Sequence, residues 1–237
     1  MLKHLVPFAI LLVALIGVAP KANAQSTIWN APSTDVVAPH SVYVETDFLS
    51  RFAAVDKGGF QTYGGRLVFG PVKRMEVGFN TFFTKAGDLS VAVEIQPNMK
   101  FQFFNDEKHG LAASVGGVAY IPVNHREGTD TFAMTYSTFS KKVKTDFGPR
   151  ITGGFYGLLG RASDQGSRTG ALAGYEQPLH PKVNFVADWY SGKNRLGYAG
   201  GGFSFVVSKK SLLYVGYNLG NHGAGNNYFN VFYGYTF

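Results

Sequence analysis

The chain has 237 residues, no cysteine, 30 glycines, 21 phenylalanines, 13 tyrosines and a formal net charge of +7. The lack of cysteine excludes a disulfide framework and thiolate metal sites, and the length suits one domain. The positive balance does not mark a nucleic-acid binder: the bases fall mostly in connections, as in Ser140-Lys141-Lys142, Val143-Lys144 and Ser208-Lys209-Lys210, with no contiguous patch interleaved with stacking aromatics.

Met1-Leu2-Lys3-His4 is a short basic start, residues 5–18 are a nearly continuous apolar run, and Ala22-Asn23-Ala24 is a small-x-small cleavage site. Residues 1–24 therefore read as a secretory signal peptide, with a mature chain from Gln25. No later stretch approaches roughly 18 consecutive apolar residues, so a mature chain in a membrane would be there as a barrel. Residues 25–40, with Pro32 and Pro39, are expected to be a loose periplasmic leader.

From Ser41 the chain repeats segments of about ten alternating residues between Gly, Asn, Asp, Lys and Pro clusters, which predicts an all-β, antiparallel up-and-down transmembrane barrel of about 12 strands over 41–237. The expected strands are 42–49, 60–69, 75–84, 91–101, 111–121, 131–139, 150–159, 169–176, 183–190, 196–206, 212–219 and 229–237. The fourth is the clearest. Val91, Val93, Ile95, Pro97, Met99 and Phe101 form its apolar face, and Glu94, Gln96, Asn98 and Lys100 its polar face. An even count puts both termini on the periplasmic side, with turns at 70–74, 105–109, 140–148, 177–181 and 208–211. Outward loops are then centred on Asp56, Gly87, Arg126, Asp164, Lys193 and Gly223. None is long, so no plug is expected. Pro97 cannot donate to a ladder and predicts a bulge or weak pairing in its strand. Glycine clusters at Gly64-Gly65, Gly116-Gly117, Gly153-Gly154 and Gly200-Gly201-Gly202 either relieve the bending of a small closed sheet or let inward side chains pack closely.

The last strand carries Phe229, Val231, Tyr233, Tyr235 and Phe237 on one face. It resembles the closing strand of bacterial outer-membrane barrels, whose terminal aromatic is read by the barrel-assembly machinery; the resemblance implies that partner for Phe237 and the cell outer membrane as location, with membrane lipid and lipopolysaccharide as surroundings. A lipocalin-like calyx would place the apolar rows inside and the polar rows in water. The strand count and the terminal phenylalanine argue against it. So do aromatics near strand ends, read as interfacial girdles: Tyr43, Phe60, Phe69, Phe103, Phe104, Tyr120, Trp189, Tyr190, Phe205 and Tyr214.

Parity places Glu45, Asp47, Arg66, Glu76 and Asn80 inward, followed by Glu94, Asn98, Lys100, Arg150, Glu176 and Asp188, together with Tyr156, Asn184 and Asn218. Both signs are present. Such a lumen fits either a polar passage or a network of ion pairs that seals it. Catalytic and metal sites are not expected. His40, His109 and His180 fall at periplasmic edges or turns. His125 and His222 lie in outward loops without a suitably spaced serine, and Glu127 and Asp130 read as solvated charges. Glu45 and Asp47 share a strand face and could act as acid and base or hold a cation, but a charge pair with Arg66 is the simpler reading. Gly192-Lys193 lacks the remainder of a phosphate loop. No cofactor is expected. Loop bases such as Arg126, Arg161, Arg168 and Lys193 are available to anionic headgroups, with solvated turn charges the default.

Gly87-Asp88-Leu89-Ser90-Val91 leads into a strand ending in Lys100-Phe101, preceded by Glu76-Val77-Gly78-Phe79-Asn80. These segments resemble small Gram-negative barrels grouped with the phenol meta-pathway outer-membrane transporter family. The resemblance implies a passive transporter of small aromatic or hydrophobic solutes. Residue chemistry and resemblance together give the expectation of a monomeric channel that passes small solutes through a narrow mixed-charge lumen. A closed structural or adhesion barrel and a surface lipid-modifying enzyme are the alternatives.

Overall fold

In the computed structural model, which describes residues 26–87, 89–124, 131–160, 166–223 and 227–237, the alternating segments form antiparallel strands. They are β1 (Val42–Arg51), β2 (Phe60–Val72), β3 (Met75–Lys85), β4 (Ala92–Asp106), β5 (Leu111–Pro122) and β6 (Phe132–Lys142). β7 (Arg150–Gly160), β8 (Thr169–His180), β9 (Val183–Tyr190), β10 (Tyr198–Ser208), β11 (Ser211–Gly220) and β12 (Tyr228–Thr236) follow. Each pairs with its sequence neighbours, and β12 returns to β1, from Tyr43↔Thr236 to Ser50↔Phe229, so the sheet is a closed twelve-stranded barrel without an edge. Among the described residues no helix is long and apolar enough to cross a membrane. The expected signal peptide (residues 1–24), Asp88, the segment holding His125, Arg126, Glu127 and Asp130, and the segment holding Arg161 and Asp164 lie outside the described residues.

Local chemistry sets the hairpins. Lys73 and Arg74 alone join β2 to β3, with Arg74 left-handed at φ 69°, and Gly110 takes φ 69° where β4 turns into β5. Pro97 keeps its register opposite Phe79 of β3, while on the β5 side pairing skips from Ile95 to Asn98. The register shift comes later, between Phe101 and Phe104. It leaves both Phe103 and Phe104 exposed, and β4 continues past the expected end at 101 to Asp106.

The wall separates two chemistries. Leu67, Phe79, Met99, Ile151, Phe155 and Phe203 lie on the exposed outer face, and Glu45, Glu76, Lys100, Asp188, Asn218 and Asn230 are buried on the inner one. This is the opposite of a calyx. The girdle reading needs correction for the residues that parity puts with the polar row: Tyr43, Tyr120, Tyr190 and Tyr214 are buried inside, and Phe60 lines the lumen. Tyr43 shares the face of Glu45, and Tyr190 that of Asp188. Phe69, Phe103, Phe104 and Trp189 do face outward.

A second correction concerns residues 26–37, expected as a loose leader on a chain too short for a plug. They fold back into the lumen, where Ile28, Trp29, Ala31, Ser33, Thr34 and Val37 are all buried. So small an insert suffices because inward side chains already narrow the barrel. The strand glycines make room for it. A Cβ on Gly200 would lie 2.5 Å from Trp29 Cδ1, one on Gly216 2.6 Å from Trp29 Cη2, and one on Gly174 would run into Ile28. Outward Gly65 and Gly153 meet nothing. Close packing thus accounts for the inward glycines better than bending does.

Two outcomes follow from these faces. Phe155, 68% exposed near the middle of β7, replaced by Arg, should destabilise protein folded into bilayers by about 2–4 kcal/mol, read from denaturant titration of tryptophan emission. An unchanged midpoint contradicts a hydrocarbon-facing position. Gly200→Leu should expel Trp29 and make residues 26–37 cleavable by added protease while the barrel keeps its heat-modifiable mobility; continued protection contradicts the seating described.

Candidate functional site: a plugged lumen

The chain enters β1 through a turn in which Ser41 N donates to Ala38 O and His40 N to Gly70 O. Upstream, residues 26–33 form a small hairpin, with Thr27 bridged to Pro32 and Ile28 N donating to Ala31 O at 2.8 Å. The turn aims consecutive N–H groups the same way. Those of Trp29, Asn30 and Ala31 all donate to Asp188 Oδ2, at 3.0, 2.6 and 2.5 Å. A carboxylate bonded to several backbone N–H groups makes a strong clasp, since bonds to charged groups contribute about 1.5–3 kcal/mol each. Asn218 Oδ1 adds bonds from Trp29 Nε1 (3.1 Å) and Asn30 Nδ2 (2.6 Å), and its own amide donates to Asn230. The indole lies between Tyr214 and Phe232, with ring centroids 6.2 and 5.4 Å away.

On the opposite wall, Lys100 Nζ donates to the carbonyls of Ser26 and Asp35, both at 2.6 Å, and pairs with Glu76 at 3.1 Å. Glu76 accepts the Val37 N–H at 2.9 Å and the Ser26 hydroxyl. Arg150 forms a fork with Glu176, its Nη2 at 2.8 Å, and reaches the Asp35 carboxylate. Thr34 is held by Ser140 and by Gln102, which donates to its carbonyl. Glu76, Lys100, Arg150 and Asp188 thus all engage the chain's own N-terminal segment, and Glu176 orients Arg150. A buried lysine or arginine without such partners would be strongly unfavourable.

Six other expected lumen residues form two groups beyond the plug, while Tyr156 donates to Ser191 O and Asn184 to Ser204. Arg66 Nε lies 2.7 Å from Asp47 and 3.1 Å from Glu45, its guanidinium over Phe82 and Phe232, while the Tyr43 hydroxyl donates to Glu45. The carboxylates are therefore committed to an ion pair rather than poised as acid and base. Asn80, Gln96 and Asn98 form an amide ladder on β3 and β4, with Gln96 donating to Glu94. Glu94 receives Arg195 in a bidentate pair at 2.6 and 2.8 Å, although Arg195 belongs to the connection between β9 and β10. Arg195 also lies over Tyr120 and Phe132, at 5.5 and 5.8 Å. Its place in a loop hid it from parity; the unmatched inward Glu94 was the available signal. Trp29 and Asp35 were hidden in the expected leader.

Above the plug is a cavity of about 370 Å³. Ser26, Thr27, Asn30 and Pro32 form its floor; Asn80, Gln96, Tyr120, Tyr136 and Arg195 line its wall; and Phe60, Thr84, Tyr198 and Tyr228 stand at the loop ends of their strands. The interior is acidic on balance. Asp35, Glu45, Asp47, Glu76, Glu94, Glu176 and Asp188 face Arg66, Lys100, Arg150 and Arg195, against a net charge of +7 for the chain. Among the described residues no group of three His, Cys, Asp or Glu is placed to hold a metal ion.

No protein-family model and no curated protein matches the chain. Solved structures do. The KdgM porin in complex with disordered oligogalacturonate is similar at TM-score 0.56 and 11% identity, covering 83% of this chain and 99% of that one. The COG4313 outer membrane channel from Pseudomonas putida F1 gives TM-score 0.57 and 13% identity over 86% and 98%. Outer membrane phospholipase A from Escherichia coli gives 0.50 and 11% over 86% and 94%. At these identities the likeness is one of fold: this chain has the twelve-stranded barrel architecture seen in Gram-negative outer-membrane proteins.

Proposed function

We propose that the protein is an outer-membrane channel for small solutes whose passage is closed by its own N-terminal segment and opens when residues 26–37 are displaced. The observation that carries the reading is the kind of bonding that holds the plug. Apart from Ile28, Trp29, Ala31 and Val37, it is fixed by ion pairs and hydrogen bonds to a polar wall, which water can replace. The cavity above it supplies a water-accessible approach from the loop end. The fold supports the channel class, since the KdgM porin and the Pseudomonas channel share it; the phospholipase shares it too, so the reading leans on the plug's bonding and the cavity above it.

The acidic interior points to neutral or cationic solutes over polyanions. An oligogalacturonate, the molecule bound in the KdgM porin structure, is a polyanion and does not match this lumen. Small aromatic solutes, implied by the sequence resemblance, are compatible with the tyrosines that line the cavity. Export after cleavage at Ala24, recognition of the exposed Phe237 by the assembly machinery, and contact with lipid and lipopolysaccharide complete the reading. A second reading, a permanently closed structural barrel, is favoured by the same plug.

Planar-bilayer recording separates the two. The intact protein should show rare, brief openings, and a chain lacking residues 26–37 should conduct steadily with a cation-selective reversal potential. Absence of current from the shortened but folded barrel supports the closed reading. Asp188→Asn, which weakens the clasp without removing volume, should raise the open fraction by at least about tenfold, since a loss of about 1.4 kcal/mol suffices for that. Glu94→Gln, which removes a negative charge, should reduce cation preference if the vestibule is on the path; unchanged reversal potentials remove Glu94 from it.

A further inference from the structure

The bases inside the barrel and those at its turn end are treated differently. Arg66, Lys100, Arg150 and Arg195 are each matched by a carboxylate. At the end where β1 begins and β12 stops, every turn carries a base: Lys73 and Arg74 between β2 and β3, Lys108 between β4 and β5, Lys144 between β6 and β7. Lys182 follows between β8 and β9, and Lys209 and Lys210 between β10 and β11, with Lys141 and Lys142 closing β6. Most are exposed, and among the described residues none of them has an ion-pair partner. Of the acids nearby, Asp106 is taken by His109 at 2.6 Å, leaving Glu107 and Asp146. Among the described residues of the loop end, the acid Asp56 directly precedes the base Lys57.

Directly beside this collar the outer face is apolar and aromatic. Val72, Phe104, Leu111 and Leu179 are exposed at the turn ends of their strands, Phe147 in the turn between β6 and β7, and Phe237 just past β12. An apolar band bordered by unpaired cations is complementary to a leaflet whose headgroups carry negative charge.

We propose that the turn-end collar binds the headgroups of anionic phospholipids in the leaflet that surrounds it, an inference that rests on the membrane reading above. Ringing all the turns, the cations bind several headgroups at once and fix the barrel's depth and tilt. Lys and Arg act here as charges near a surface, so binding weakens as salt screens them.

The test uses full-length protein folded in neutral detergent micelles and offered equal amounts of phosphatidylglycerol and phosphatidylethanolamine, with retained lipid counted by native mass spectrometry. Wild type should keep phosphatidylglycerol with a preference of the order of tenfold, lost at high salt. The combined Lys73→Gln, Lys108→Gln, Lys142→Gln, Lys182→Gln and Lys209→Gln variant should lose it, while a loop-end control with Lys57→Gln, Lys85→Gln and Lys193→Gln should keep it. Equal retention of the two lipids by wild type, a preference that survives high salt, or equal loss in the control overturns the proposal. So does binding to purified peptidoglycan without any lipid preference. Equal retention by protein that still conducts after deletion of the plug overturns the collar alone; a lipid preference in a barrel that never conducts overturns the channel alone.

Discussion

Hydrocarbon cannot accept or donate a hydrogen bond, and in the proposed membrane setting that single deficiency dictates the rest of the molecule. Every backbone N–H and C=O in the apolar zone must find its partner within the protein, so the sheet has to close. The pairing of Tyr43 with Thr236 at one end of the seam and of Ser50 with Phe229 at the other does this. Closure, with the pleat, then assigns every side chain to one of two solvents. The outer row becomes Leu67, Phe79, Met99 and Phe155, and the inner row inherits the carboxylates, amides and ammonium groups that the outer environment excludes.

An interior assembled in that way faces the opposite problem. Its charged groups are crowded into a narrow space, and each must be hydrated or matched. The wall matches some itself, as Arg66 does with Glu45 and Asp47. Others are matched by the N-terminal segment, whose backbone offers N–H groups to Asp188 and Glu76 and carbonyls to Lys100. The plug is therefore the missing solvation shell of the wall as much as an obstruction. In the proposed opening, water takes over that role when the segment is displaced.

The fold was readable because its determinant is periodic. Alternation in segments such as 91–101 identified strands, their faces and their approximate number, and Phe237 marked the end of the last one. The same rule placed Glu76, Lys100 and Asp188 on the inner face. It did not extend to residues outside strands. Trp29, Asp35 and Arg195 sit in irregular backbone, where no period fixes direction, and their positions depend on contacts with residues far along the chain. The tyrosines show a different kind of miss. Tyr43 and Tyr190 were read by residue type, as interfacial aromatics, although their parity with Glu45 and Asp188 placed them inside.

The hairpin at residues 26–33 also touches strands on both sides of the closing seam. Through Ser26 it reaches Glu76 and Lys100 on β3 and β4, and through Trp29 it reaches Asn218 and Phe232 on β11 and β12, with β1 lying between these walls. It therefore works as a cross-brace spanning the joint where the cylinder was sewn shut. In the proposed opening, withdrawing it would remove this brace and leave the cylinder freer to flatten into an ellipse.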